Sequence, residues 1–418
     1  MCRWIQAVSG LLIIPAAVFM LALHRKQIIA CPLNEEARVV SAPPQQCAQQ
    51  DPDGLLVEAQ ALIKAGQRAR ADTVLGKLVE RDDLLPLQRF QVAALLGDAQ
   101  DYKRAIAVFD SLPPDYPDPF SRQYGLALAY FGDGQYAMCS RTLDALERRG
   151  FNKSRLFNLL GLALAKIEQY QESSQAFEKA IRADPRDARS YLTFAAVCAE
   201  HSDHERAVRV LSAAMERISG DYRLFLARSA VYLLLGDYGK GQADCDRAMA
   251  LDPTDSRVYL VLGFSYLGQR RYHQATEVFR KAIQRGLNDK QIYHFLADVL
   301  LRKPLAKDTA AFNEALSICN SCLALDPKFA YCYLDRARIE QMAGRQDLAI
   351  ADLERARGLL PDSRSILYHL GVAYRQVGKA AEAQELFARM KDLTIREFQI
   401  HRTMLLLDIV ASLYERPV

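Results

Sequence analysis

A 34-residue period governs this chain. With unit starts at 52, 86, 120, 154, 188, 222, 256, 290, 330 and 364, ten units tile residues 52–397, and only the unit at 290 is longer, by six residues. The eighth slot holds Ala59, Ala93, Ala127, Gly161, Ala195, Ser229, Gly263, Ala297, Ala337 and Gly371, all small. A second small slot holds Ala71, Ala105, Cys139, Ser173, Ala207, Gly241, Ala275, Ala315, Ala349 and Ala383. Four residues later stand Leu75, Phe109, Leu143, Phe177, Leu211, Cys245, Phe279, Cys319, Leu353 and Phe387, each apolar. Two helices approach closely only where side chains are small, and large apolar groups one turn away fill the flanking gaps. The pattern therefore predicts a repeated helical hairpin that stacks into an array and has no single closed core.

These slots resemble the tetratricopeptide repeat, a helix–turn–helix unit of the same length with small residues at its helix crossing. Five units also end in the proline with which that family stops its second helix: Pro117, Pro185, Pro253, Pro327 and Pro361. The unit 256–289 is the clearest copy, with Tyr259, Leu262, Gly263, Tyr266, Tyr272, Ala275, Phe279 and Ala282. The opening units depart from it, carrying Leu55, Arg89 and Gln123 where the family has a first-helix aromatic. The resemblance implies an all-α fold, a right-handed superhelical solenoid of about ten helix–turn–helix units with a concave groove lined by first helices.

Composition narrows the function. A net charge of +4 over 418 residues offers no concentrated basic face for nucleic acid. No G-x-S-x-G, phosphate-cradling glycine loop or H-E-x-x-H is present, so neither an enzyme nor a cofactor is expected. Cys319-Asn320-Ser321-Cys322 is a CxxC with Cys332 ten residues on, one ligand short of a zinc site, and no metal is expected. Cys139, Cys198, Cys245, Cys319 and Cys322 fall on apolar or small slots and read as buried thiols, not as a disulfide framework.

Residues 1–26 read as an N-terminal transmembrane anchor or signal segment. Trp4–Leu23 is an uncharged run of 20 residues, enough as a helix for ~30 Å of hydrocarbon. A cleaved signal is the alternative, and Ile28-Ile29-Ala30-Cys31 is a weak match to a lipoprotein box behind the basic His24-Arg25-Lys26. Residues 27–51, rich in proline and glutamine, form a flexible linker. Arg25 and Lys26 after the span, against Arg3 before it, lean the repeats towards the cytoplasm, as cysteine use does. A Cys31–Cys47 pair and a short internal N-terminal tail would instead export them.

Asp187, Asp221, Asp255 and Asp289 share the slot just before a first helix and suit its N-cap. Six extra residues around Arg302–Asp308 form a surface insertion or a contact loop. The segment 398–418 is an apolar helix, expected to cap the final repeat, with enough greasy surface to support a homo-oligomer.

Candidate partner-binding residues lie on the first helices. Arg155, Arg189, Arg223 and Arg257 recur at one slot, either pairing with aspartates or offering a ladder of positive charge to a carboxylate-bearing ligand. Asn158, Leu192, Leu226 and Leu260 share a second slot, and Leu162 and Phe264 a third. This apolar groove suits an amphipathic helix or hydrophobic peptide. It does not match the two-carboxylate clamp with which some relatives hold chaperone tails. The resulting expectation is a membrane-tethered, non-catalytic scaffold for protein or peptide partners, as the family serves in assembly, secretion, envelope or polysaccharide machinery. The alternative is a regulatory or recruiting subunit of a membrane enzyme complex such as a glycosyltransferase.

Overall fold

The computed structural model describes residues 51–113, 116, 118–302, 310–392 and 397–413, and its regular elements are all α-helices. Ten hairpins follow one another: α1 (Pro52–Lys64) with α2 (Arg68–Val79), α3 (Pro86–Asp98) with α4 (Tyr102–Ser111), α5 (Pro119–Gly132) with α6 (Tyr136–Arg148), α7 (Ser154–Lys166) with α8 (Tyr170–Ala183), α9 (Ala188–Glu200) with α10 (His204–Arg217), α11 (Tyr222–Leu235) with α12 (Tyr238–Leu251), α13 (Ser256–Gly268) with α14 (Tyr272–Gln284), α15 (Lys290–Leu300) with α16 (Ala310–Leu325), α17 (Ala330–Met342) with α18 (Gln346–Leu359), and α19 (Arg364–Gln376) with α20 (Ala380–Asp392). A further helix, α21, spans Glu397–Ser412. Every first helix starts at, or one residue before, the unit start read from the period. The span at Trp4–Leu23, the linker before residue 51 and most of the insertion after Arg302 lie outside the described residues. Among the described residues no helix is long and apolar enough to cross a membrane.

The hairpins form two compact units, one ending at Asp184 and the other running from Pro185 to Tyr414. In each, a second helix packs on its own first helix and on the next one, and neighbouring first helices also touch each other. First helices therefore make the inner face of each unit.

Local chemistry repeats with the period. The turn between the two helices of a hairpin carries a residue at positive φ in the fifteenth slot: Gly66, Gln100, Gly134, Glu168, Ser202, Gly236, Arg270, Gly344 and Gly378. Glycine adopts this left-handed conformation without penalty, whereas the four side-chain-bearing residues cost roughly 1 kcal/mol each there. The expected caps are present: Asp187, Asp221 and Asp255 accept from the backbone N–H of Arg189, Arg223 and Arg257 at 3.0 Å, and Asp289 from that of Gln291 at 2.9 Å. The first-helix tyrosine and the preceding proline also have a joint purpose. The Tyr191 and Tyr259 hydroxyls donate to the Pro185 and Pro253 carbonyls at 3.1 Å, and the Tyr333 hydroxyl to the Pro327 carbonyl at 3.2 Å. Proline ends one hairpin and leaves its carbonyl unused, and the next hairpin's tyrosine satisfies it.

One cysteine expectation is corrected. Cys322 is not a thiol; it forms a disulfide with Cys332, joining α16 to α17 with Cα atoms 6.4 Å apart. Both lie on facing helices of adjacent hairpins, so helix packing brings together residues that the CxxC spacing did not pair. Cys319 stays a buried free thiol, pushed well above its ordinary pKa by burial, as Cys139 and Cys198 are pushed up to about 12. Closing so short a loop contributes about 2–3 kcal/mol, so Cys332→Ala should lower the stability of this unit by that amount in chemical denaturation. Reduction of the unmodified chain should produce the same shift, and none beyond it in the variant.

Candidate functional site

The inner face of the first helices changes character along the chain. On α9, α11 and α13 the inward slots hold Leu192 and Ala196, Leu226 and Ala230, and Leu260 and Phe264, and all are buried. Against these three helices lies α21. It packs on α11, α9 and α13, not on the final hairpin where a capping helix was expected. The reason lies in α20, whose Glu382, Glu385 and Arg389 are exposed and already give the last hairpin a polar outer surface. Leu406, Ile409, Val410 and Leu413 of the last segment are buried, and the inner face offers them far more apolar surface than that end does. Asp408 goes in with them, half-buried, and burial pushes its carboxyl up to about 6.

Further along, the same slots turn polar. His294 and Asp298 on α15 stand where Leu192 and Ala196 stand on α9. His294 Nδ1 lies 2.6 Å from Asp335 Oδ2. Arg338 donates to Asp298 and Asp335 at 3.2 and 3.3 Å, and Arg302 donates to Asp298 at 2.9 Å. Burial would raise the Asp298 carboxyl, but Arg302, His294 and Arg338 outweigh it and hold the group low. On α19, burial aided by the Arg338 charge pushes His369 down to about 4. The carboxylates Asp298 and Asp335 are thus paired within the fold, and among the described residues no His, Cys, Asp and Glu group is placed to hold a metal. The sequence reading passed over this cluster, although charged residues at slots otherwise filled by Leu, Ala and Phe were its visible signal.

In the unit ending at Asp184 the equivalent slots are apolar yet only partly buried on α3, with Phe90 and Ala94, and on α5, with Tyr124 and Leu128; on α7 Leu162 is partly buried but Asn158 is polar and buried, and on α1 Leu56 is buried and Gln60 polar. Phe131, one turn beyond Leu128, is also partly buried. Tyr124 stacks on Phe120 with centroids 5.4 Å apart. The Arg155 guanidinium lies 4.6 Å from the Phe120 ring and 5.1 Å from the Tyr124 ring. Asn158 is buried, its amide donating to Ser154 Oγ at 3.4 Å.

The arginine slot thus divides. Arg223 and Arg257 clamp Asp221 and Asp255 through Nε and Nη2, at 2.7 and 2.6 Å for the shortest contacts, and both are largely buried. Arg257 also donates through Nη1 to Ser412 of α21 at 2.7 Å. Arg155 and Arg189 are exposed. The slot is therefore not a continuous ladder of available charge.

Comparison with known proteins agrees with this architecture. Family models described as tetratricopeptide repeat match residues 154–187, 256–285 and 334–395. Anaphase-promoting complex subunit 3 of Schizosaccharomyces pombe is 18% identical over 298 residues, 71% of this chain and 42% of that protein. Superkiller complex protein 3 of Homo sapiens is 25% identical over 228 residues, 52% of this chain and 14% of that one. The chain spans less than half the length of either relative. Among solved structures, yeast Tom70 superposes with a TM-score of 0.47 at 15% identity, covering 87% of this chain and 89% of that one.

Proposed function

We propose that this tetratricopeptide-repeat chain is a non-catalytic scaffold, tethered to a membrane through Trp4–Leu23, that holds an apolar helix or peptide of another protein on the inner face of its first helices. One observation carries the reading. Slots buried on α9, α11 and α13, where α21 packs, remain partly exposed at Phe90 and Ala94 on α3, Tyr124 and Leu128 on α5 and Leu162 on α7; with Phe131 these form an apolar stripe that the buried Asn158 interrupts. Rigid helices present this stripe pre-ordered, so docking costs little conformational entropy. In the unit ending at Asp184 we assign partner contact first to Leu162 and the exposed Arg155, with buried Asn158 supporting the floor; the exposed Arg189 is a separate candidate on the other unit. Arg223 and Arg257 serve the fold as well, and Leu192, Leu226, Leu260 and Phe264 reach a partner only if α21 leaves.

The Cys322–Cys332 disulfide supports an oxidising compartment for the repeats, against the cytoplasmic lean from charge, and a Cys31–Cys47 pair would suit the same side. Assembly, secretion, envelope or polysaccharide machinery outside the cytoplasm would fit such a tethered scaffold.

Site-specific photo-cross-linking tests the binding face. A cross-linker at Tyr124 or Leu162 should capture one and the same protein, and the same group at Arg141 or Glu172, exposed on second helices, should not. Tyr124→Ala with Leu128→Ala should cut capture from Leu162 about tenfold. Equal capture from both faces would overturn the assignment.

A further inference from the structure

We infer that the inner face of α9, α11 and α13 is a helix-binding groove whose built-in ligand is α21, and that its external partner is an amphipathic helix of matching apolar spacing that displaces α21. The inference deepens the scaffold reading and rests on it only for the partner's existence; the groove and its ligand are within this chain.

Four observations support it. The buried residues of α21, Leu406, Ile409 and Val410, with Leu413 directly after it, follow an i, i+3, i+4, i+7 spacing, the signature of a helix laid into a groove. The floor beneath is apolar across three hairpins, with Leu192, Leu226 and Leu260 in register. Register is fixed at one end by Arg257 Nη1, which donates to Ser412 Oγ at 2.7 Å. Finally, α21 lies outside the repeat pattern and follows α20 after four residues, 393–396, so the hairpin array is complete without it.

The ligand also carries a misfit. Asp408 is half-buried, and burial raises its carboxyl, the sign of a charge that weakens docking near neutral pH. A helix with an uncharged residue at that place, and the same four apolar anchors, would bind the groove more tightly than α21 does. This is the property an exchangeable internal ligand requires, since a partner displaces it only through a difference in affinity.

The test uses the full chain and a fluorescent peptide with the sequence of residues 397–413. Val410→Asp should release α21 in cis, so that this variant binds one peptide per chain about tenfold or more tightly than the unmodified chain does. Asp408→Asn should act in the opposite sense, docking α21 more firmly and lowering peptide binding below that of the unmodified chain. On the unmodified chain, excess peptide should speed amide hydrogen exchange in residues 402–413 while α9, α11 and α13 stay protected, a readout that holds even if Val410→Asp disturbs folding. Equal peptide affinity in all three chains, or exchange that the peptide does not alter, would overturn the inference. A stable dimer with exchanged α21 helices would assign the groove to a second copy and overturn the intrachain reading. Loss of capture at Tyr124 and Leu162 would strike the scaffold reading and leave this groove untouched.

Discussion

Replacing Gly263 with valine should destabilise the unit from Pro185 to Tyr414 by about 3 kcal/mol or more, despite valine's better helix propensity. A Cβ at Gly263 would sit well inside van der Waals contact of the Phe279 ring, which is fully buried and has nowhere to move. The same meeting recurs: a Cβ at Gly161 would lie 2.8 Å from the Phe177 ring and one at Gly371 2.7 Å from the Phe387 ring. All three glycines of the eighth slot meet a phenylalanine of the same hairpin; at the corresponding pair of slots Ala59, Ala127, Ala195 and Ala337 stand with leucine, Ser229 and Ala297 with cysteine, and Ala93 alone among the alanines with phenylalanine. The Gly–Phe and Ala–Leu pairs have nearly the same summed volume, as a close-packed interior favours. The double variant Gly263→Ala with Phe279→Leu copies the Ala195 and Leu211 pair, and it should recover most of the loss caused by Gly263→Ala alone. Denaturation followed by circular dichroism reads the cycle; additive effects of the two changes would refute the pairing.

That pairing also explains why the fold was legible. Two small slots and one large apolar slot are determined inside one hairpin by contacts a few turns apart in sequence, so a period can display them. The Asp caps were legible for the same reason: the side chain of Asp255 bonds a backbone N–H two residues on. The positive-φ turn slot was half-visible, since Gly134 and Gly236 announce it but Glu168 and Arg270 do not. What escaped the period depends on contacts between different hairpins. Cys322 and Cys332 pair across a hairpin boundary, whereas the slot of Cys322 made it read as a buried thiol.

The site was less legible than the fold. Leu192, Leu226 and Leu260 share one first-helix slot and were read as groove candidates, but their sequence cannot tell an open groove from a covered one. Covering them is α21, whose anchors lie more than 140 residues from that floor and obey no repeat. The α9–α13 stripe is the most apolar and is already filled, the α15–α17 stretch is closed by its own charge pairs, and the α3–α7 stripe is apolar and partly exposed. A partner reading the chain meets the last of these without first displacing anything.

Asp255→Ala should be the most damaging single change to a polar residue, lowering the stability of its unit by about 3–5 kcal/mol. Its side chain is 1% exposed and serves three partners at once. It accepts the Arg257 backbone N–H at 3.0 Å as the cap of α13, the Arg257 guanidinium at 2.6 Å, and the Tyr222 hydroxyl of the preceding hairpin at 3.0 Å. Alanine would free a helix terminus, strand a buried guanidinium and break one bond between adjacent hairpins. Burial alone would raise the Asp255 carboxyl, but Arg257 and the Tyr222 hydroxyl bond outweigh it and the group sits below its ordinary 3.8. Its ionised form is thus the one the fold favours. The stability it supplies is complete above 3.8 and is lost as pH falls through the lower folded value. Removing the stranded charge as well, in Asp255→Ala with Arg257→Ala, should restore part of the loss, because an uncompensated buried cation costs more than an absent pair. It would not restore the Arg257 contact to Ser412, so in both variants amides 402–413 of α21 should exchange faster than in the unmodified chain. Full recovery of protection in the double variant would mean that Arg257 does not hold α21 in register.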